Sequence, residues 1–159
     1  MTTDAAPAGA EPFLLPLGDE ESEGFWAGTA VGELRVQACD ACGALRFPPR
    51  VMCPECQSTA RSWRAVSGRG VIWSFVVVHP PVLPVYAPYT PFPVITVTLA
   101  EKPSLRLVGN LVTGPGGDIN GVDPAGIEIG EPVRVVFTGR PRPDGTLVHL
   151  PQWVRDPAP

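Results

Sequence analysis

Cys39-Asp40-Ala41-Cys42 and, ten residues later, Cys53-Pro54-Glu55-Cys56 contain every cysteine of the 159-residue chain, in two matched pairs. Each C-x-x-C turn brings two sulfurs to one ion, so two such turns joined by a short hairpin close a tetrahedral four-thiolate shell. A closed shell leaves no position for substrate. The expected role is structural, with a Zn²⁺ ion stabilising a segment too small to hold a core of its own. Iron in the same shell, or two disulfides, are the alternatives.

Outward from the cysteines, Leu34-Arg35-Val36-Gln37-Ala38 alternates and leads into the first pair as a strand of a zinc ribbon does. Between the pairs, Pro48-Pro49 cannot continue a ladder, which makes Phe47-Pro48-Pro49-Arg50 an exposed connecting loop. On the N-terminal side, residues 1–12 are rich in Ala and Pro without periodicity and are expected to form a disordered lead. Residues 13–33 read as an extended apolar segment followed by a short helix, with Asp19, Glu20, Glu21 and Glu23 at its start. Phe25 and Trp26 add more apolar surface than so short a helix needs, and a second chain covering part of it is the sharper expectation beside simple burial.

Beyond a ribbon placed at 34–61, residues 62–155 show strands punctuated by Gly and Pro. The runs are 71–78, 94–99, 105–112, 133–137 and 147–154. Ile95, Val97 and Leu99 alternate with Thr96 and Thr98, the period of half-buried strands. Ser67-Gly68-Arg69-Gly70 reads as a turn before the first run, and Pro143-Asp144-Gly145 as the hairpin turn between the last two. Five strands without an intervening helix predict an OB-type barrel, with a small open sandwich as the alternative. The predicted fold class is therefore mainly β: a short N-terminal helix, a zinc ribbon and a five-stranded barrel. Residues 79–93 hold six prolines together with Tyr86, Tyr89 and Phe92, and read as a stiff aromatic loop facing solvent. Residues 113–126 are rich in Gly and Asp but lack the ending of a phosphate-binding loop, so they read as a connector.

Charge falls in blocks. Residues 1–34 carry seven acids and no Lys or Arg, whereas residues 35–70 carry six Arg against Asp40 and Glu55. Those arginines, Arg35, Arg46, Arg50, Arg61, Arg64 and Arg69, are candidates for offsetting the formal −2 of a four-thiolate zinc site, with contact to an anionic ligand or partner as the alternative. A net charge of −4 and a single lysine argue against a nucleic-acid-binding barrel, where phosphate contacts supply most of the affinity. Single-stranded nucleic acid is kept as the remote alternative. No apolar run reaches membrane-spanning length and residues 1–10 lack a signal-peptide pattern, so a cytoplasmic protein is expected. Of the two histidines, His79 precedes the Pro-rich loop and His149 lies in the last strand, neither within a nucleophile or metal motif. Glu20 and Glu21 point to different helix faces and form no catalytic pair. By itself the chain does not read as an enzyme.

Phe25-Trp26, the cysteine pairs with Cys42-Gly43 and Phe47-Pro48-Pro49-Arg50 between them, Trp63 and Val66-Ser67-Gly68-Arg69-Gly70 occur together in this order. They are followed by Gly109-Asn110-Leu111-Val112 and Ile129-Gly130-Glu131-Pro132. Over about residues 13–154 the sequence resembles the acyl-CoA-associated family that joins a rubredoxin-like zinc ribbon to a C-terminal OB fold. The resemblance implies an accessory subunit of a thiolase-fold enzyme, expected as a heterotetramer. Its implied reaction is retro-aldol cleavage of a steroid side-chain CoA thioester, with a thiolase or hydroxymethylglutaryl-CoA synthase complex as the alternative setting. It also implies Cys39, Cys42, Cys53 and Cys56 as metal ligands; Phe25, Trp26, Phe47 and Arg50 as partner contacts; and Trp73, His79, Tyr86 and Tyr89 along an acyl-CoA channel shared with the partner. Some relatives carry a hot-dog-fold hydratase half before the ribbon, and the Ala/Pro-rich start is where such a half would join.

Overall fold

A computed structural model describes residues 13–156; the expected disordered lead at 1–12 lies outside the described residues. Of the acids expected at the helix start, Glu23 lies in its first turn and Asp19 closes a turn just before it. Asp19 and Ser22 bond reciprocally, Ser22 N–H to Asp19 Oδ1 at 2.8 Å and Asp19 N–H to Ser22 Oγ at 3.1 Å. The Ser22 hydroxyl and then its N–H hold the Asp19 carboxyl below its ordinary value. Helix α1 therefore begins at Glu23 and runs to Ala30, burying Phe25, Gly28 and Thr29. Gly28 admits no side chain, because a Cβ there would lie 2.7 Å from Arg35 Cγ and 2.8 Å from the Glu33 carbonyl.

The ribbon is a three-stranded antiparallel sheet of β1 (Leu34–Cys39), β2 (Leu45–Arg46) and β3 (Arg61–Val66), in the order β2-β1-β3. Strand β2 stops at Arg46, before the prolines. Strand β3 runs to Val66, past residue 61 where the sequence reading ends the ribbon, and pairs Trp63 with Gln37. It is an edge strand with Ser62, Arg64 and Ala65 exposed, so it shows no apolar alternation to read.

The second sheet holds β4 (Arg69–Val78), β5 (Phe92–Leu99), β6 (Arg106–Asn110), β7 (Pro132–Pro141) and β8 (Leu147–Arg155) in the order β6-β5-β4-β7-β8. All its ladders are antiparallel. It closes where Leu111 bridges Trp153 in parallel, with Val112 N–H donating to the Trp153 carbonyl at 2.8 Å. That closure makes an OB barrel and excludes the open sandwich. Trp153 is fully buried at the seam, and Gly109 leaves it room, since a Cβ there would sit 3.0 Å from the indole. The β7–β8 turn forms at Pro143-Asp144-Gly145 as the sequence predicts, with φ +83° at Gly145 and Asp144 Oδ1 accepting from the Thr146 N–H and hydroxyl at 2.9 and 2.7 Å.

Residues 79–93 depart from the solvent-facing loop expected of them. Pro84–Tyr89 winds into a 3-10 turn, while Phe92 and Pro93 are buried in β5, paired with Val78 and Val77. Extended Pro93 needs no ladder N–H at this position, so the apolar pair starts the strand. The 113–126 connector is pinned by buried Ile119 and Val122. Ile72, Ile95, Val97, Leu107 and Trp153 form one core with Leu34, Val36 and Phe25, so helix, ribbon and barrel share a single apolar interior. Among the described residues no helix is long and apolar enough to cross a membrane.

Candidate metal centre and adjoining cleft

The two cysteine turns are copies of each other. Cys39 C=O accepts from Gly43 N–H and Cys39 N–H donates to Ala44 C=O, at 2.8 and 2.9 Å; Cys53 C=O and N–H make the same pair with Gln57 and Ser58, both at 2.9 Å. Each turn places its fifth residue in the left-handed region, Gly43 at φ +73° and Gln57 at +63°. Gln57 is the one non-glycine of positive φ among the described residues. Together the turns bring all four Sγ atoms within 4.8 Å of one another, with Cys39 and Cys53 buried and Cys42 and Cys56 exposed. The Cys39–Cys56 and Cys42–Cys53 separations are 3.5 and 3.7 Å. A tetrahedron with metal–sulfur bonds of about 2.3 Å has edges of about 3.8 Å, so the sulfurs fit a zinc ion.

The electrostatics agree. Backbone N–H groups, Cys42 first and then Ala41, hold the Cys39 thiol down at about 6 against its burial. The N–H groups of Cys56 and Glu55 lower Cys53 in the same way. At Cys42 the Ala44 N–H also pulls down, but the Cys56 thiol, burial and the other two thiols outweigh it and push the group up to about 12. Four sulfurs this close do not all ionise without a cation among them. The expected charge offset by arginines is only partial: Arg35, Arg61 and Arg69 are in ion pairs with Glu33, Glu21 and Asp156.

Behind the centre, buried Gln37 accepts from Arg46 Nε and from the Arg50 N–H, the latter at 2.9 Å, so β1 carries the 47–50 loop from below. Lys102, from the β5–β6 turn, reaches Glu55 of the second cysteine turn at 3.1 Å.

That loop forms one wall of a cleft of about 670 Å³. Phe13, Phe25, Trp26, Phe47, Pro48 and Tyr86 face Val94, Leu107, Leu150 and Gln152 of the barrel across it. The structure thus gathers Phe25, Trp26, Phe47 and Tyr86, which sequence reasoning assigned to two different surfaces. Phe25 itself is 5% exposed, edge-on to Trp26 at 4.9 Å and tilted on Phe47 at 5.2 Å, and is therefore part of the chain's own core. Arg50 and His79 are exposed and outside the cleft lining. Tyr86 and Tyr89 clasp Phe13 at 5.4 and 5.2 Å. Trp73 is half exposed on the outer face of β4 with the Arg106 guanidinium 3.7 Å above its ring.

Arg106 and Arg140 also line the cleft; of the two, only Arg106 carries a sequence signal, as a lone charge among apolar residues in the run Leu105-Arg106-Leu107-Val108.

Comparison with known proteins agrees with this architecture. Residues 26–60 match the family described as "ChsH2, rubredoxin-like zinc ribbon domain", and residues 63–138 match "ChsH2, C-terminal OB-fold domain". The 3-oxo-4,17-pregnadiene-20-carboxyl-CoA hydratase alpha subunit of Mycobacterium tuberculosis is 34% identical over 143 residues, which are 90% of this chain and 39% of that protein, so the chain spans about two fifths of that relative. A DUF35 domain-containing scaffold protein of Methanothermobacter thermautotrophicus is 35% identical over 62% of this chain and 67% of its own length. Among solved structures, a chain of the Ltp2-ChsH2(DUF35) aldolase superposes with a TM-score of 0.72 at 30% identity, over 89% of this chain and 98% of that one. With four cysteines set for a structural zinc ion and a closed five-stranded barrel behind them, the chain belongs to the ChsH2 family of rubredoxin-like zinc ribbon and OB-fold proteins.

Proposed function

We propose that this chain is an accessory subunit that docks on and completes a thiolase-fold enzyme acting on acyl-CoA thioesters. Retro-aldol cleavage of a steroid side-chain thioester is the favoured reaction. The observation that carries the reading is the correspondence with nearly the whole of a chain from the Ltp2-ChsH2(DUF35) aldolase. The chemistry of the chain supports it. All four cysteines belong to the metal shell, and among the described residues neither histidine hydrogen-bonds to a carboxylate, hydroxyl or thiol, so no base–nucleophile pair stands ready.

The partner-facing residues in this reading are Trp26, Phe47 and Arg50, with the four cysteines holding their loop in place; Phe25 supports them from beneath. Trp73, His79, Tyr86 and Tyr89 would lie toward the acyl-CoA path. A heterotetramer in the cytoplasm, where thiolates stay reduced, is the assembly we favour. The relation to the DUF35 scaffold protein favours a second reading, a scaffold within a thiolase or hydroxymethylglutaryl-CoA synthase complex. The acidic balance of the chain weighs against a nucleic-acid module.

Affinity purification from the native host, with mass spectrometry of what accompanies the chain, tests the proposal. A thiolase-fold protein in stoichiometric amount is expected, together with no turnover by the chain alone; robust aldol cleavage by the isolated chain would overturn the accessory reading. Trp26→Ala should weaken the complex about tenfold or more, a cost of roughly 1.4 kcal/mol to binding, with a smaller loss to the chain itself.

A further inference from the structure

We propose that Arg46, held inside the ribbon by Gln37, is the internal counter-charge of the four-thiolate centre and favours a divalent ion there over a trivalent one. The starting observation is a buried arginine without an acid. Arg46 is 7% exposed, and Gln37, its partner across β1 and β2, is 0% exposed. The Gln37 side-chain oxygen accepts from Arg46 Nε, and Arg46 Nη2 donates to the Arg50 carbonyl at 3.4 Å. Arg46 Nη1 and Gln37 Nε2 are buried with no hydrogen-bond partner, and among the described residues no Asp or Glu forms an ion pair with Arg46. A guanidinium keeps its proton inside a protein, so a lone buried one is costly unless negative charge lies near it.

The ribbon's own metal shell supplies that charge. Gln37 and Cys39 are alternate residues of β1 and share one face of it, and Arg46 takes the same face as the cross-strand partner of Gln37. The opposite face, with Val36 and Leu45, packs into the core. Strand β2 follows directly on the first cysteine turn, so Arg46 comes four residues after Cys42. Four thiolates around a divalent ion carry a formal −2. Arg61, opposite Cys39, is already paired with Glu21 at 2.9 Å, and Arg35 with Glu33 at 2.7 Å. Arg50 and Arg64 are exposed, where water and salt screen them. Among the described residues of the ribbon, Arg46 is therefore the one guanidinium that neither an acid nor solvent offsets. Its hydrogen bonds go to Gln37 and Arg50 and to no sulfur, so it acts as a fixed charge and not as a ligand.

The inference stands apart from the accessory reading, since it concerns the ribbon alone. The test loads the purified full-length chain with iron and follows its reduction spectroelectrochemically. The ferric centre takes one electron from the electrode and passes from a formal −1 to a formal −2. Removal of a nearby fixed cation penalises the more negative form. Arg46→Met should therefore shift the ratio of ferrous to ferric affinity by about threefold or more towards ferric, a fall of about 28 mV at 59 mV per tenfold.

Three further variants separate charge from packing. Gln37→Glu neutralises the guanidinium in place and should lower the potential at least as much while the ribbon stays folded. Arg46→Lys keeps the charge but loses the fork that reaches the Arg50 carbonyl, and should retain most of the parent potential. Arg64→Met makes the same charge change at an exposed site and should leave the potential unchanged. An unchanged potential in Arg46→Met or in Gln37→Glu would overturn the inference and leave Arg46 as a brace for the 47–50 loop. A fall in Arg46→Lys or Arg64→Met equal to that in Arg46→Met would overturn it as well. If Arg46→Met fails to hold iron, Gln37→Glu decides: a lowered potential supports the counter-charge and an unchanged one refutes it.

Discussion

Phe25→Ala probes the joint between helix, ribbon and barrel. The ring is 5% exposed, packs on Trp26 and Phe47, and belongs to the core that includes Leu34, Ile72 and Trp153. Truncating a buried Phe costs about 3–5 kcal/mol when the surroundings cannot collapse into the space. Here that loss falls on a helix of eight residues, whose other fully buried positions are the small Gly28 and Thr29, with Trp26 half-buried beside them. A helix this short has no stability of its own in water, so docking is all that keeps it formed. Undocking then costs less than global unfolding and limits the total loss. Thermal unfolding should show a fall of roughly 10 °C, from about 2–4 °C per kcal/mol at this chain length. Native-state hydrogen exchange should show protection across residues 23–31 reduced by about a hundredfold or more, with β4 and β5 less affected. Wild-type protection of α1 and a melting point within about 2 °C of the parent would refute the role given to Phe25.

Cys53→Ser removes a fully buried ligand from a closed shell and should release the metal and unfold residues 34–61; metal analysis together with exchange across the ribbon checks it. Gly70→Ala should destabilise by about 2 kcal/mol or more in a denaturant titration, because the added methyl would collide with the Thr98 carbonyl and lie 2.6 Å from Val97 Cγ1. Asp144, whose carboxyl is lowered first by the Thr146 hydroxyl and then by its N–H, stabilises the β7–β8 turn only while ionised. Its contribution is present above the unfolded value of about 3.9 and is lost as pH falls through the depressed native value, so Asp144→Ala should flatten the acid limb of the stability–pH curve in that window.

The features that could be read from the sequence are those whose cause is local. Cysteine spacing decides the metal shell, Pro48-Pro49 ends β2, and Pro143-Asp144-Gly145 makes its turn wherever it occurs in the fold. The strands of the barrel were visible for the same reason, as period-2 runs cut by Gly and Pro. What could not be read is what several segments build together. The cleft draws on the 13–14 segment, α1, the 47–48 loop, the 3-10 turn and four barrel strands, and no periodicity in any one of them points to it. Phe25 and Trp26 show the same limit: adjacent in sequence, both line the cleft, but Phe25 is buried in the core and Trp26 only half-buried against it. Strand β3 was hidden because edge strands need not alternate, and Gln57 because a left-handed residue in a turn favours glycine without requiring it.

Helix α1 precedes the ribbon and the barrel in the chain, yet it is held partly by β8, the last strand of the described fold. The Arg142 guanidinium on the arm of the β7–β8 hairpin likewise donates to the carbonyl of Pro16 at 2.7 Å, across 126 positions of sequence. During translation, therefore, the cysteine turns can take up metal as soon as they emerge, but the helix above them must wait until β8 has followed. Apolar Phe25, Trp26 and Phe47 stay uncovered for that interval, a hazard for any chain whose closing contact is its most distant one. Ribosome-bound chains stalled before residue 147 should carry a metal-loaded ribbon with an unseated helix, and should be the species that chaperones retain.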